Sequence, residues 1–297
     1  MSFFHNHLRN TGRFSGQPRR TFPHLVDFLH LLIISAPIRA GEDWQIMAEL
    51  ESILQFLEET FAFSQFPDYS NALNGLQVGG PADVSRLVVA VDASEATIQA
   101  GVREGGDLLL VHHGLFWDGP GPITGARFRK VKALLEGPMA LVALHLPLDA
   151  HPRLGNCALL AREVGLEPVE SFAPYQGEEI GWWARTDEDR DLLRARLEEA
   201  VAGPVRLISG GPERLQRVGF LTGSGASNLG EAAALGLDAL VTGEAAHHHF
   251  HDAMELGINL YLAGHYATET FGVKVLGEVL AGEFGLESTF LDFPTGL

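Results

Sequence analysis

One pattern occurs twice in the chain, as LVALHLPLDAH at residues 141–151 and as NLYLAGHYATE at residues 259–269. Each copy begins with an apolar run that is typical of a buried strand. Each then ends in a histidine that is followed four residues later by a carboxylate. The two pairs lie 120 residues apart and are His145 with Asp149 and His265 with Glu269. This spacing predicts two related strand ends that present the same kinds of side chain.

The two segments belong to longer stretches of matching pattern. Both lead into a helical pattern that closes on Gly-Leu-Glu, at residues 165–167 and 285–287. Upstream of each, strand and helix patterns alternate, which predicts α/β architecture with right-handed crossovers between parallel strands. We therefore expect two similar α/β lobes from an internal duplication, with a site in the cleft between them. The predicted lobes span residues 47–170 and 171–297, and residues 258–297 are expected to pack back on the first lobe.

Local patterns give the individual elements. Asp92 and Ser94 are both suitable N-cap residues for a helix that ends near residue 104. At residues 145–149 we expect an extended loop, because Pro147 disfavours a helix interior. The other predicted strands span residues 87–91, 107–111, 181–184, 218–221 and 237–241, and the other predicted helices span residues 48–63, 187–202 and 229–235.

Composition narrows the classes of function. A net charge of −17 argues against sequence-independent nucleic-acid binding, which depends on lysine and arginine contacts to phosphate. The single cysteine, Cys157, excludes an intrachain disulfide and is expected to be a small buried side chain in a helix. The longest apolar stretch, at residues 25–38, is interrupted by charged and proline residues and is too short for a membrane span. We expect a cytoplasmic protein without a membrane segment.

The first 46 residues differ from the rest of the chain. They contain five arginines and three acidic residues, whereas the whole chain carries 21 basic and 38 acidic residues. A clean amphipathic pattern begins at Met47, so we expect Met47 to be the natural start, with residues 1–46 as a mis-assigned or disordered extension. A targeting segment is the alternative interpretation.

Three predicted strand ends carry groups that bind metals. The strand pattern DLLLVHHG at residues 107–114 ends in His112 and His113, and the two repeated segments supply a histidine and a carboxylate each. Imidazole and carboxylate groups that converge at strand ends are suited to divalent metals. Taken singly, each residue has an ordinary structural interpretation, such as a half-buried loop histidine, a turn carboxylate, or an acid in the first turn of a helix. Together they predict a metal site, in which Asp149 could bridge two ions.

Other motifs are more ambiguous. The histidines at residues 247–249 and 251 follow Gly243-Glu244, and we interpret Glu244 and His248 as groups near the site, although a solvated helix start explains them equally well. The Gly-rich turn at residues 222–228 could hold a phosphate, or be a tight turn only. Phe116 and Trp117 follow His113 and could wall a pocket in which a planar base stacks, or pack in the core.

At these residues the chain resembles the Nif-three-like dinuclear-metal proteins, which are often labelled GTP cyclohydrolase I type 2 homologs. The segments that carry the resemblance are NGLQV at 74–78, VHHG at 111–114, HLPLD at 145–149, GE at 243–244 and GHYATE at 264–269. The resemblance implies two α/β lobes, a two-metal site in the cleft between them, and a toroidal homohexamer. It implies metal ligands at His112, His113, Asp149, His265 and Glu269, with His145 as an additional group. Tyr266 stands where some members have a second histidine, and we exclude it.

The expected function is therefore a metal-dependent hydrolase that acts on a nucleotide-like or phosphorylated small molecule, and the family label suggests GTP. Glu244 is the candidate for proton transfer. The alternative is a metal-binding or metal-delivery scaffold that serves partner proteins without turnover. Histidine and carboxylate ligands suit Zn, Fe, Mn or Ni, so the residues do not select one metal.

Overall fold

The computed structural model describes residues 47–119 and 121–297, and these residues belong to one compact unit. The predictions made for residues 1–46 lie outside the described residues. Within the described part, no helix is both long enough and apolar enough to cross a membrane.

The first sheet has five strands in the order β13-β4-β5-β6-β2. Strands β4, β5 and β6 are parallel to one another, β13 is parallel to β4, and β2 is antiparallel to β6. A two-stranded antiparallel ribbon of β1 and β3 precedes β4 in the chain. These strands are β1 (Ala48–Glu49), β2 (Gly75–Val78), β3 (Asp83–Val84), β4 (Arg86–Asp92), β5 (Leu108–His113), β6 (Ala140–Ala143) and β13 (Glu287–Phe290).

The second sheet has six strands in the order β7-β8-β10-β11-β12-β9. Strands β10, β11 and β12 are parallel, and β8 and β9 flank them in antiparallel orientation. The strands are β7 (Pro168–Tyr175), β8 (Glu178–Asp189), β9 (Arg206–Ser209), β10 (Arg214–Phe220), β11 (Ala239–Thr242) and β12 (Asn259–Leu262).

Helices connect and cover the strands. They are α1 (Leu50–Phe61), α2 (Glu95–Arg103), α3 (Gly125–Glu136), α4 (Leu146–Ala150), α5 (Asn156–Glu163), α6 (Arg190–Ala200), α7 (Leu229–Ala234), α8 (His249–Leu256), α9 (His265–Thr268) and α10 (Thr270–Phe284), with a 3-10 turn at Gly225–Asn228 before α7. Helix α10 packs on the first sheet, and its residues Val273, Leu276 and Leu280 share a core with the apolar side chains of β4.

The parallel strands are apolar because both faces of each sheet are covered. All residues of β6 and β11 are buried, as are five consecutive residues of β4. The side chains of β4 divide between two cores, with Val89 in one and Val88 in the other. Near-continuous apolar runs are expected where helices cover a parallel sheet on both sides.

The predicted α/β class is confirmed, and the chain forms two sheets that each contain parallel and antiparallel strands. Three parallel strands in chain order occur in each sheet. The C-terminal elements are divided, because β12 belongs to the second sheet whereas α10 and β13 join the first. Duplication and the two-lobe division stay predictions.

One local prediction was wrong, and one is narrowed to a single residue. Residues 146–150 form the short helix α4 rather than an extended loop, because Pro147 lies in the first turn, where a helix needs no amide hydrogen at that position. Of the two N-cap candidates for α2, the structure uses Ser94 and not Asp92. Ser94 is the N-cap, and its side chain accepts a hydrogen bond from the amide of Thr97 at 3.0 Å.

Candidate metal centre

The candidate site lies where strands β5 and β6 of the first sheet and β12 of the second sheet end. Strand β5 ends at His112 and His113. His145 follows β6 as the N-cap of α4, which carries Asp149, and His265 begins α9 after β12. Ligands of open α/β sheets collect outside the carboxyl ends of strands, and this arrangement follows that rule.

The side chains form two groups that share Glu269. One group consists of His112, Asp149 and Glu269, and all three residues are buried. The other consists of His113, His265 and Glu269. His145 joins His112 and His113 in a third overlapping group.

The separations within the groups match metal coordination. His112 Nε2 lies 3.4 Å from Asp149 Oδ2 and 3.6 Å from Glu269 Oε1. Glu269 Oε2 lies 3.6 Å from His113 Nε2, and Glu269 Oε1 lies 3.2 Å from His265 Nε2. Ligand atoms bound at about 2.1 Å around one ion are separated by about 3.0–3.4 Å in octahedral or tetrahedral geometry. The two groups therefore need only small movements to close around ions.

Glu269, rather than Asp149, is the carboxylate that the two groups share. Its Oε1 lies near His112 and His265, and its Oε2 lies near His113. Asp149 Oδ1 already accepts hydrogen bonds from Asn156 Nδ2 and Thr222 Oγ1, both at 2.9 Å. Only Asp149 Oδ2 is left to face the site.

Each histidine ring is fixed through Nδ1, so that Nε2 faces the site. His112 Nδ1 is 2.9 Å from the carbonyl oxygen of Leu144, and His113 Nδ1 is 2.9 Å from Asp92 Oδ1. His145 Nδ1 pairs with Asp68 at 2.8 Å, and His265 Nδ1 pairs with Glu244 at 3.0 Å. Outer partners of this kind set the tautomer and orientation of metal-binding histidines and raise their basicity.

Two buried polar atoms support a cation at this position. Among the described residues, neither His112 Nε2 nor Glu269 Oε2 has a hydrogen-bond partner. Buried polar atoms without partners cost free energy, and coordination of a cation would satisfy such an atom. The residues present therefore fit a divalent metal.

Electrostatics within the cluster are strongly coupled. Burial disfavours the charged form of His112, but the carboxylates of Asp149 and Glu269 outweigh it and raise its pKa well above the usual value. For His265, burial is likewise outweighed, and hydrogen bonding to Glu269 raises the pKa to about 9. Burial opposes ionisation of Glu269, yet the nearby histidines hold its pKa well below the usual range. Without metal, the carboxylates share the site with protonated imidazoles.

The groups open onto a cleft of about 880 Å³, which is large enough for a small-molecule ligand. Residues at or after the strand ends of both sheets line it, including His113 and His145 on the side of the first sheet and Thr222 and Ser224 on the side of the second. Gly223 brings the backbone close to the ligands. A Cβ atom at this position would lie 2.2 Å from Glu269 Oε1. No larger residue fits at Gly223 unless Glu269 moves.

The structure brings most of the predicted residues together. His112, His113, His145, Asp149, His265 and Glu269 converge, and Glu244 contacts His265. His248 lies elsewhere, at the exposed start of α8 beside His249 and Asp252, and is not among the residues that line the cleft.

Several supporting residues were not identified from the sequence. Asp68 holds His145 from a loop 77 residues away in the chain, and Asn74 Oδ1 accepts the amide of His145 at 2.7 Å. Asn156 and Thr222 hold Asp149. The NGLQV motif, which begins at Asn74, was the one available signal for this loop.

Comparisons with known proteins agree with this geometry. The sequence profile of the Duf34/NIF3 (NGG1p interacting factor 3) family matches residues 48–295. A protein of Deinococcus radiodurans, named GTP cyclohydrolase 1 type 2 homolog, is 42% identical over 250 residues, which cover 83% of this chain and 94% of that protein. Among solved structures, protein ybgI, described as of unknown function, aligns with a TM-score of 0.79 and 36% identity, covering 84% of this chain and 100% of the other. The protein TTHA1606 from Thermus thermophilus aligns with a TM-score of 0.76 and 38% identity over the same shares.

Proposed function

Because the chain belongs to the Duf34/NIF3 family, we propose that it binds two divalent metal ions and acts as a metal-dependent hydrolase. The proposed substrate is a nucleotide-like or phosphorylated small molecule. The observation that carries this proposal is the position of Glu269, whose carboxylate belongs to both groups, with Oε1 near His112 and His265 and Oε2 near His113. A shared carboxylate between two three-residue groups is the arrangement expected of a two-metal hydrolytic site.

Each residue has a defined role in this proposal. His112 and Asp149 would hold one ion, His113 and His265 the other, and Glu269 both. Two divalent ions in these positions would supply Lewis acidity, which would lower the pKa of a bound water and polarise the bond under attack. The metal identity stays open among Zn, Fe, Mn and Ni.

Proton transfer falls to a group beside the ligands. Glu244 is half exposed and contacts His265 Nδ1, so it both orients that ring and reaches solvent. A carboxylate in this position can accept a proton from the attacking water and pass it to the solvent. The relative in Deinococcus radiodurans is named after GTP cyclohydrolase, and opening of a purine imidazole ring is the corresponding reaction for this site.

We further propose a homohexameric ring as the assembly, in line with the resemblance of the sequence. The alternative of a metal-binding or metal-delivery scaffold rests on the same ligands but requires no turnover. These two functions differ in what Asp149→Asn should change, because an asparagine keeps the shape of the side chain and removes its charge.

The test combines activity with metal content. Metal-loaded protein is screened for hydrolysis of nucleotides and phosphoesters, with Asp149→Asn and Glu163→Gln, a solvent-exposed change on α5, assayed in parallel. The hydrolase proposal predicts an activity that Asp149→Asn abolishes and that Glu163→Gln leaves unchanged. Two bound ions with no turnover of any substrate in the panel would favour the scaffold.

A further inference from the structure

Three aromatic side chains form a wall beside the candidate metal ligands. Tyr69, Trp117 and Tyr175 all line the cleft that contains His113 and Glu269. The ring centroids of Tyr69 and Trp117 are 6.1 Å apart, and those of Tyr69 and Tyr175 are 5.2 Å apart. The three rings come from separate segments, namely the loop before β2, the turn after β5 and the end of β7. Aromatic side chains that converge in a cleft provide stacking surfaces for planar ligands.

Trp117 joins this wall to the ligand groups. Its ring centroid is 4.7 Å from that of His145 and 5.5 Å from that of His113, with interplanar angles of 82° and 74°. A ring bound against Trp117 therefore lies next to the histidines.

The charges in the cleft disfavour a phosphate as the recognised group. Four carboxylates line it, from Asp92, Asp149, Glu244 and Glu269, whereas no lysine or arginine does so within residues 47–119 and 121–297. These four carboxylates repel an oligophosphate, and no lysine or arginine side chain among the described residues of the cleft offsets that repulsion.

The two basic side chains that line an adjacent cavity already donate hydrogen bonds to other residues. Arg127 and Lys130 line that cavity, which borders the cleft at His113 and Trp117. The Arg127 guanidinium donates to Asp118 and to the carbonyl oxygens of Gly119 and Gly121, and Lys130 Nζ donates to the carbonyl of Ala93 at 3.1 Å.

We propose that Tyr69, Trp117 and Tyr175 form a subsite for an uncharged planar nitrogen heterocycle of nucleobase or nucleoside type. The ring stacks on the aromatic wall, and its reactive edge faces the shared Glu269. The role of the subsite in catalysis rests on the proposed function. The ligand ring contacts only the three aromatic side chains, so it binds in the absence of metal. The site thus recognises the ring, and phosphate contributes to binding only through the metals.

The test uses full-length protein from which metal has been removed by chelation. Equilibrium dialysis measures binding of guanosine, with inorganic triphosphate as a competitor. We expect guanosine to bind and triphosphate not to displace it. Trp117→Leu should weaken guanosine binding at least about fivefold, the loss expected for one aromatic stacking contact. The matched control is Phe128→Leu, which removes an exposed aromatic ring on α3 outside the cleft.

Three results would overturn the proposal. Guanosine fails to bind to folded protein, Trp117→Leu binds it as tightly as the parent, or triphosphate displaces it from the metal-free protein. Thermal unfolding of each variant shows that the fold is intact. Metal content of the same preparation, measured before chelation, distinguishes failure of the ring subsite from failure of the proposed metal chemistry. Two ions without ring binding would remove the subsite only, whereas ring binding without ions would remove the proposed metal chemistry only.

Discussion

Gly223→Ala should destroy the metal site without unfolding the protein. Gly223 has φ +63° and lies against the carboxylate that the two ligand groups share. An alanine Cβ would lie 2.2 Å from Glu269 Oε1 and 3.3 Å from His265 Nε2. Because Cβ atoms essentially never approach another heavy atom within 3.0 Å, Glu269 must move by at least about 0.8 Å. Metal–ligand distances tolerate changes of only about 0.2 Å.

Loss of a residue that only supports a metal ligand lowers metal affinity by about 10–100-fold. Gly223→Ala displaces a shared ligand itself, so we expect metal affinity to fall by at least about a hundredfold. Part of the effect on stability comes from the backbone alone, because an alanine in the left-handed region costs about 1–2 kcal/mol. Gly257→Ala is the matched control. It has φ +70° at the end of α8, and a Cβ there would meet no atom within 4 Å.

The assay is metal content after dialysis against a buffered divalent ion, together with thermal unfolding of the metal-free proteins. We expect similar small losses of stability in the two variants and loss of metal in Gly223→Ala only. If Gly223→Ala retains metal at the parental affinity, the role of Glu269 as a shared ligand is refuted. Equal loss of metal in both variants would show that backbone strain, rather than the contact with Glu269, is responsible.

Three further predictions follow from individual contacts. Asp92→Ala should weaken metal binding at the His113 group by about 10–100-fold, measured by calorimetric titration, because Asp92 fixes the His113 ring; an unchanged affinity would exclude that role. Metal affinity should rise with pH up to about 9, with proton release seen as a buffer-dependent heat, because the pKa of His265 is raised to about 9 in the metal-free protein. The proton on His265 also stabilises the metal-free fold, fully below about pH 6.5, and this stabilisation is lost as the pH rises through about 9. Metal affinity and stability that do not change with pH would contradict these two expectations. Ser94→Ala should lower the free energy of unfolding by about 1 kcal/mol in chemical denaturation, and no loss would show that the cap is dispensable.

The convergence of the ligand groups follows from strand patterns. His112, His145 and His265 each come at or just after the end of an apolar run that becomes a parallel strand. Parallel strands within a sheet end at the same edge, so side chains that are far apart in the sequence become neighbours.

The spacing of the repeat did not predict that the two carboxylates have different neighbours. Asp149 and Glu269 are equivalent in the repeat, yet Asp149 Oδ1 is occupied by Asn156 and Thr222 while Glu269 faces both groups. These contacts depend on how α5 and the end of β10 pack against α4. Hydrophobic periodicity contains no information about such packing.

The contacts made by the loop before β2 could not be predicted from the sequence for a related reason. Asp68 belongs to a segment rich in turn residues, where an aspartate is usually explained by a local turn. Its contact with His145 joins positions 77 residues apart and exists only in the folded chain. The resemblance of the NGLQV segment to a known family marked this loop without revealing the role of Asp68.

The central claim is that two ions share Glu269, and elemental analysis of untagged protein tests it most directly. The parent, His113→Ala and Glu269→Gln are compared at the same concentration of divalent ion. We expect two ions per chain in the parent, about one in His113→Ala, and weakened binding of both in Glu269→Gln. A parent that binds no ion, or a Glu269→Gln variant that retains two at parental affinity, would contradict the claim.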